Sequence, residues 1–125
     1  MRKLLMIASL LYVGPAHAEP FSTMGLGAQT CAQFVAQYRA DAATEQRFFD
    51  WAQGLMSGIN DALEDTVGKY RDLNSMPIAQ QKEILRAFCL NRPAAKYGDA
   101  VNSLLSRLPI VPSTLKGAPA HLLQR

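Results

Sequence analysis

The side chains best suited to chemistry in this 125-residue sequence are two cysteines, Cys31 and Cys89, and two histidines, His17 and His121. A thiol redox centre would need Cys-x-x-Cys spacing or a neighbouring His or Lys to stabilise a thiolate, and neither cysteine has one. A zinc site needs about four ligands, and the central part of the chain holds no histidine. His17 and His121 lie near the two ends, so no imidazole is fixed in a packed framework for Ser-His or Cys-His catalysis. These residue types therefore predict no catalytic residues, no metal site, no cofactor and no enzymatic activity. In an exported chain, two lone cysteines on apolar helix faces are expected to pair. A Cys31–Cys89 bridge would close a loop of about 57 residues and contribute roughly 4 kcal/mol through the entropy of the unfolded chain.

Asp61, Glu64 and Asp65 form an acidic cluster that could do acid–base work. Their helical spacing places Glu64 and Asp65 on the polar side of a helix, which predicts a solvated face instead. Gly25-Leu26-Gly27 lacks the preceding strand and the third glycine of a phosphate-binding loop. Gly54 and Gly58 are less easily dismissed. They fall one turn apart beside Trp51, and each costs about 1 kcal/mol relative to Ala inside a helix. Two readings stand: close packing against another helix of the same bundle, or a seam for a protein partner or a second copy of the chain.

The elements that must position these residues are helical. Thr30-Cys31-Ala32-Gln33 fits a capping box. It opens a first helix, to about Ala43, with Cys31, Phe34, Val35, Tyr38 and Ala42 on one face. Thr44 is read as the cap of a second helix, whose stripe of Phe48, Ala52, Leu55, Ile59, Ala62 and Leu63, widened by Trp51 and Met56, runs to Val67 and stops at Gly68. Ser75-Met76-Pro77 starts a third helix, with Ile78, Ile84, Leu85, Phe88 and Cys89 inward. Asn91-Arg92-Pro93 restarts the chain into a fourth, with Tyr97, Val101, Leu104, Leu105 and Leu108 inward. No segment alternates as a strand should. Amphipathic helices must bury their stripes against one another, so residues 30–108 are expected to form an all-α bundle of about four helices stapled by one disulfide.

The ends read differently. Arg2 and Lys3, the apolar run Leu4 to Val13, and Ala16-His17-Ala18 are the three parts of a cleavable secretory signal peptide over residues 1–18. The run of about ten apolar residues is half of what a spanning helix needs. Residues 19–29 read as a loose lead-in, and residues 109–125, with Pro109, Pro112, Gly117 and Pro119, as a flexible tail. The chain has 13 Lys+Arg against 10 Asp+Glu, and two of the cations are Arg2 and Lys3, so the mature chain is near neutral. No clustered basic face predicts nucleic-acid binding. A periplasmic address follows from the signal, with no membrane span in the mature form.

In order and spacing, four pieces resemble the HdeA/HdeB family of small periplasmic acid-stress chaperones. They are Thr30-Cys31-x-x-Phe34 in the first helix, Trp51 with Gly54 and Gly58 in the second, Pro77 leading a helix that ends in Cys89, and Asn91-x-Pro93 before the last. A Cys-bearing first helix followed by Gly-x-x-x-Gly is also similar to the secreted Rap/Tai-type immunity proteins. The connection from Gly68 to Ser75 and the Pro-rich tail depart from the HdeA/HdeB pattern. The resemblance implies a disulfide-linked helical bundle, dimeric at neutral pH, that opens in strong acid and holds unfolded client proteins on apolar surface. Phe48, Phe49, Trp51, Leu55 and Met56 are the richest such surface, with Gly54 and Gly58 beside them. Below about pH 3 most carboxylates are uncharged, and the mature chain would carry about +11. Self-repulsion then loosens the bundle, while the disulfide limits its opening. The alternative is a periplasmic binding or immunity protein that complexes one specific partner.

Overall fold

The computed structural model describes residues 23–114. The signal segment, the start of the lead-in, His17, His121 and most of the tail lie outside them. Helix α1, Cys31–Ala40, begins where the capping box predicts. The Thr30 hydroxyl accepts from the Gln33 amide at 3.2 Å, and Gln33 Oε1 accepts from the Thr30 amide at 2.8 Å. Its next two amides are satisfied from far along the chain, Cys31 N by the Ala95 carbonyl (2.7 Å) and Ala32 N by the Pro93 carbonyl (3.0 Å). Four N-terminal amides of any helix lack internal partners, and here the chain's own segment around Pro93 and Ala95 supplies two of the acceptors.

The break between the first two helices falls at Asp41, not at Ala43–Thr44. Asp41 is extended (φ −148°, ψ 111°) and ends α1 while capping α2, Ala42–Val67. Its carboxylate accepts from the Ala43 amide (3.0 Å) and the Thr44 hydroxyl (3.1 Å). Thr44 is therefore buried in the first turn of α2, and Ala42 is solvent-exposed. A carboxylate that serves two donors outcompetes a hydroxyl that serves one. The 26-residue α2 ends at Gly68, which takes the left-handed conformation (φ +66°) that a glycine tolerates.

Two short strands follow elements the helical pattern obscures. β1, Lys69–Arg71, pairs antiparallel with β2, Ile110–Pro112, in the register Tyr70↔Val111. Beyond the strand ends, the Asp72 amide donates to the Pro109 carbonyl and the Ser113 amide to the Gly68 carbonyl, both at 2.9 Å. Hydrogen-bonded pairs therefore fall at 68/113, 70/111 and 72/109, and Pro112 occupies a pair where no amide is required. Arg71 occupies the other such pair. Its outward amide and carbonyl are clamped by the side-chain amide of Asn60 on α2, at 2.8 Å each. The first residues of the expected tail are thus part of the fold.

Helix α3, Ile78–Asn91, starts directly after Pro77. Buried Gln81 holds the approach to it, donating to the carbonyls of Leu73 (2.9 Å) and Met76 (2.8 Å). Ile78, expected inward, is half exposed at the helix start. Helix α4, Tyr97–Arg107, begins four residues after Pro93, once a turn over 92–96 has delivered its carbonyls to α1. The four helices pack into one bundle around Phe34, Phe48, Phe49, Met56, Leu85, Tyr97, Val101 and Leu104. Phe34 is its hub, with ring centroids 4.7 Å from Tyr97, 4.9 Å from Phe48 and 5.0 Å from Tyr38. Cys31 and Cys89 are bonded, joining α1 to α3 across a Cα–Cα distance of 4.6 Å, and both are fully buried. No helix among the described residues is long and apolar enough to cross a membrane.

Candidate binding surface

The apolar residues expected to bind a client or partner separate once the helix is packed. Phe48, Phe49 and Met56 are 0–1% exposed and belong to the core. Trp51 and Leu55 are half-buried at its rim, and Gly54 and Gly58 face solvent. A methyl group built on either glycine meets no other part of the described chain within 4 Å. Packing inside the bundle therefore does not explain these glycines. They leave a bare patch on the outer side of α2.

Trp51 sits in a different environment. A 3-10 turn, Gly25–Ala28, lies over its indole and contacts both α2 and α4. A methyl at Gly27 would stand 1.9 Å from Cη2 of the indole, in steric overlap with it, so only glycine fits there. On the far side, a methyl at Gly98 would stand 3.2 Å from the Gly27 carbonyl oxygen and 3.7 Å from the indole. Gly25 takes a left-handed φ of +67°, beside the edge of the same ring. The segment expected to be a loose lead-in is thus seated on the aromatic rim. Its sequence carried the sign, two glycines spaced by a leucine, but the tryptophan that demands Gly27 lies 24 residues downstream.

Polar contacts fasten α2 to α3. Arg86 meets Glu45 through two bonds, Nε to Oε1 at 2.5 Å and Nη2 to Oε2 at 3.1 Å. The hydrogen bond to Glu45 raises the Arg86 guanidinium above its ordinary range, against a smaller opposing effect of burial. Nearby, Lys82 donates to Gln46 at 2.7 Å and stands 5.2 Å from the Phe49 ring centroid. The Tyr97 phenol is raised well above its usual value, chiefly by burial and secondarily by the Glu45 charge. A shallow groove of about 310 Å3 runs between α1 and α3 beside the disulfide, lined by Ala32, Val35, Ala36, Arg39, Leu90 and Pro93.

The acidic trio does not converge. Asp61 and Asp65 are exposed, while half-buried Glu64 accepts a hydrogen bond from the Ser113 hydroxyl beside β2. Among the described residues no group of three or more His, Cys, Asp or Glu is placed to hold a metal ion. Comparison with protein-family models, with curated proteins and with solved structures finds no match to this chain.

Proposed function

We propose that this chain is an exported, non-catalytic protein that acts in the periplasm as an acid-activated holder of unfolded proteins, in the manner of the HdeA/HdeB chaperones its motifs resemble. The observation that supports this reading is the arrangement of the ties. The disulfide joins α1 to α3, whereas α2, which carries Phe48, Phe49, Trp51, Leu55 and Met56, lies within the loop it closes and holds neither half of the bridge. The ion pair that fastens α2 to α3, Glu45–Arg86, depends on a carboxylate charge. Strong acid removes such charges and leaves an excess of cations that repel one another. α2 can then part from α3 and present its apolar face, while the disulfide keeps the opened chain compact. The test is the aggregation of acid-denatured lactate dehydrogenase at pH 2 and at pH 7, with and without purified mature protein. Suppression at pH 2 alone is expected. A protein that stays closed and inactive at pH 2 would end the proposal.

The bare patch at Gly54 and Gly58 favours a second reading, a binding or immunity protein that complexes one partner at neutral pH. Two glycines in an exposed helix are unfavourable and leave room for another backbone to approach. On that reading Gly54→Arg abolishes a specific neutral-pH complex without disturbing the fold.

A further inference from the structure

We infer that residues 23–29 are an intramolecular strap seated in a peptide-docking cradle formed by Trp51, Tyr97 and Gly98, and that a glycine-bearing apolar segment of a client takes the strap's place when it lifts. The inference rests on the client-binding reading and supplies it with a site and a preferred partner chemistry.

The cradle is built for one kind of occupant. The indole floor excludes any side chain at position 27. Gly98, one residue into α4, excludes a side chain from the opposite wall, because a methyl there would press on the Gly27 carbonyl. Beside this slot Leu26 packs against the core, and Trp51 and Tyr97 stand with ring centroids 6.2 Å apart. The site therefore selects a leucine-sized residue followed by one without a side chain, in a turn that brings backbone flat onto an aromatic ring. Hydrophobic, glycine-containing segments of unfolded proteins meet that requirement. A charged or β-branched residue at the second position does not.

The present occupant is held at one end. Among the described residues, the hydrogen bonds that tie the strap to the bundle run through Gln29. Its carbonyl accepts from the Tyr97 amide at 2.9 Å, and its side-chain oxygen accepts from Gln37 at 2.5 Å. No side chain caps the 3-10 turn at Met24, which is 80% exposed. The whole strap also precedes Cys31, so it lies outside the loop closed by the disulfide. It can hinge at Gln29 while the covalent ring and the Phe34 hub remain intact. An occupant tethered this closely has a high effective concentration, so it blocks the cradle in the resting protein and yields when the bundle loosens.

The test uses the mature chain with its disulfide formed. Trp51 is the only tryptophan in the sequence, so intrinsic fluorescence reports this site alone. Gly27→Ala is expected to expel the strap, giving a red-shifted Trp51 emission and greater acrylamide quenching with unchanged helical circular dichroism. The synthetic peptide Thr-Met-Gly-Leu-Gly-Ala-Gln, copied from residues 23–29, should then bind the variant saturably at pH 7 and reverse the red shift. The same peptide with its second glycine replaced by alanine should lose that binding. Unchanged Trp51 quenching in Gly27→Ala, or no saturable response to the peptide, overturns the inference. Should Gly27→Ala lose its helical signal, Leu26→Ser removes the strap's apolar anchor and leaves the cradle unaltered, and the same two readouts decide. Peptide binding at pH 7 without client protection at pH 2 upholds the cradle and refutes acid activation. Client protection without peptide binding refutes the cradle and leaves the chaperone reading standing.

Discussion

Removing the disulfide is the perturbation whose magnitude can be worked most directly. Cys31 and Cys89 are 58 residues apart in sequence. Closing a loop of that size removes about 4 kcal/mol of conformational free energy from the unfolded chain at 25 °C. A domain this small has a total stability of order 5–15 kcal/mol, so the bridge accounts for a large share of it. In a domain of 60–100 residues each kcal/mol moves Tm by about 4–8 °C, which puts the expected fall at roughly 15–30 °C. Both sulfurs are fully buried in the core, so the clean variant is Cys31→Ala with Cys89→Ala, which leaves no buried thiol unpaired. Thermal unfolding followed by far-ultraviolet circular dichroism gives Tm for the oxidised protein and the double variant. A fall of less than about 5 °C would refute the reasoning, because the loop-closure term would then be offset by strain or by residual order in the unfolded chain. Burial adds a kinetic expectation: under native conditions reductant should cleave the bridge only as fast as the bundle opens.

Glu45→Gln should lower stability at pH 7 by no more than about 0.5–1 kcal/mol, since the Arg86 side chain is 39% exposed and its ion pair is screened by solvent. Urea midpoints of the two proteins at pH 7 measure it. Tyr97→Phe should flatten the alkaline limb of stability. A phenol raised by burial contributes stability that is fully present below the unfolded value near pH 10 and is lost as pH climbs toward the folded one; urea midpoints between pH 8 and 11 test the sign. Gly54→Ala and Gly58→Ala should each stabilise the protein by about 0.5–1 kcal/mol, because the added methyl meets open space in a helix interior. A destabilisation of either variant would mean that the glycine patch is in contact after all.

What could be read in advance was whatever depends on near neighbours. The Thr30–Gln33 capping box, the stop at Gly68 and the apolar stripe of α4 involve residues three or four positions apart, and each is found where its spacing places it, whereas the expected stripe of α2 holds at Phe48 and Ala52 but leaves Ala62 exposed. Asp41 was hidden because the alanines after it are good helix formers and Thr44 offered a competing cap. The three-residue strands are too short to display alternation, and Pro112 argues against a strand until its pair is known to need no amide. For the candidate site the split is sharper. Periodicity puts Phe48, Phe49, Trp51 and Met56 on one helix face, but only packing tells a buried phenylalanine from a tryptophan at the rim. The requirement for glycine at position 27 is set wholly by Trp51, through a contact that no local pattern encodes.

The α1 amides that reach Pro93 and Ala95 have a consequence for how the chain folds. The N-terminal turn of the first helix is completed by acceptors from the connection to the last one. At the opposite end of the bundle, the Arg71 guanidinium donates to the Leu108 carbonyl at 2.7 Å, closing the end of α4 from the strand that follows α2. Each end of the molecule is thus sealed by a pairing between early and late chain. Such contacts reward ordering only after long loops have closed, so α1 and α2 formed alone would leave these groups to water and forgo the pairing. Folding should therefore be a single cooperative event that waits for α4, and a chain ending before residue 93 should collect no partial native structure.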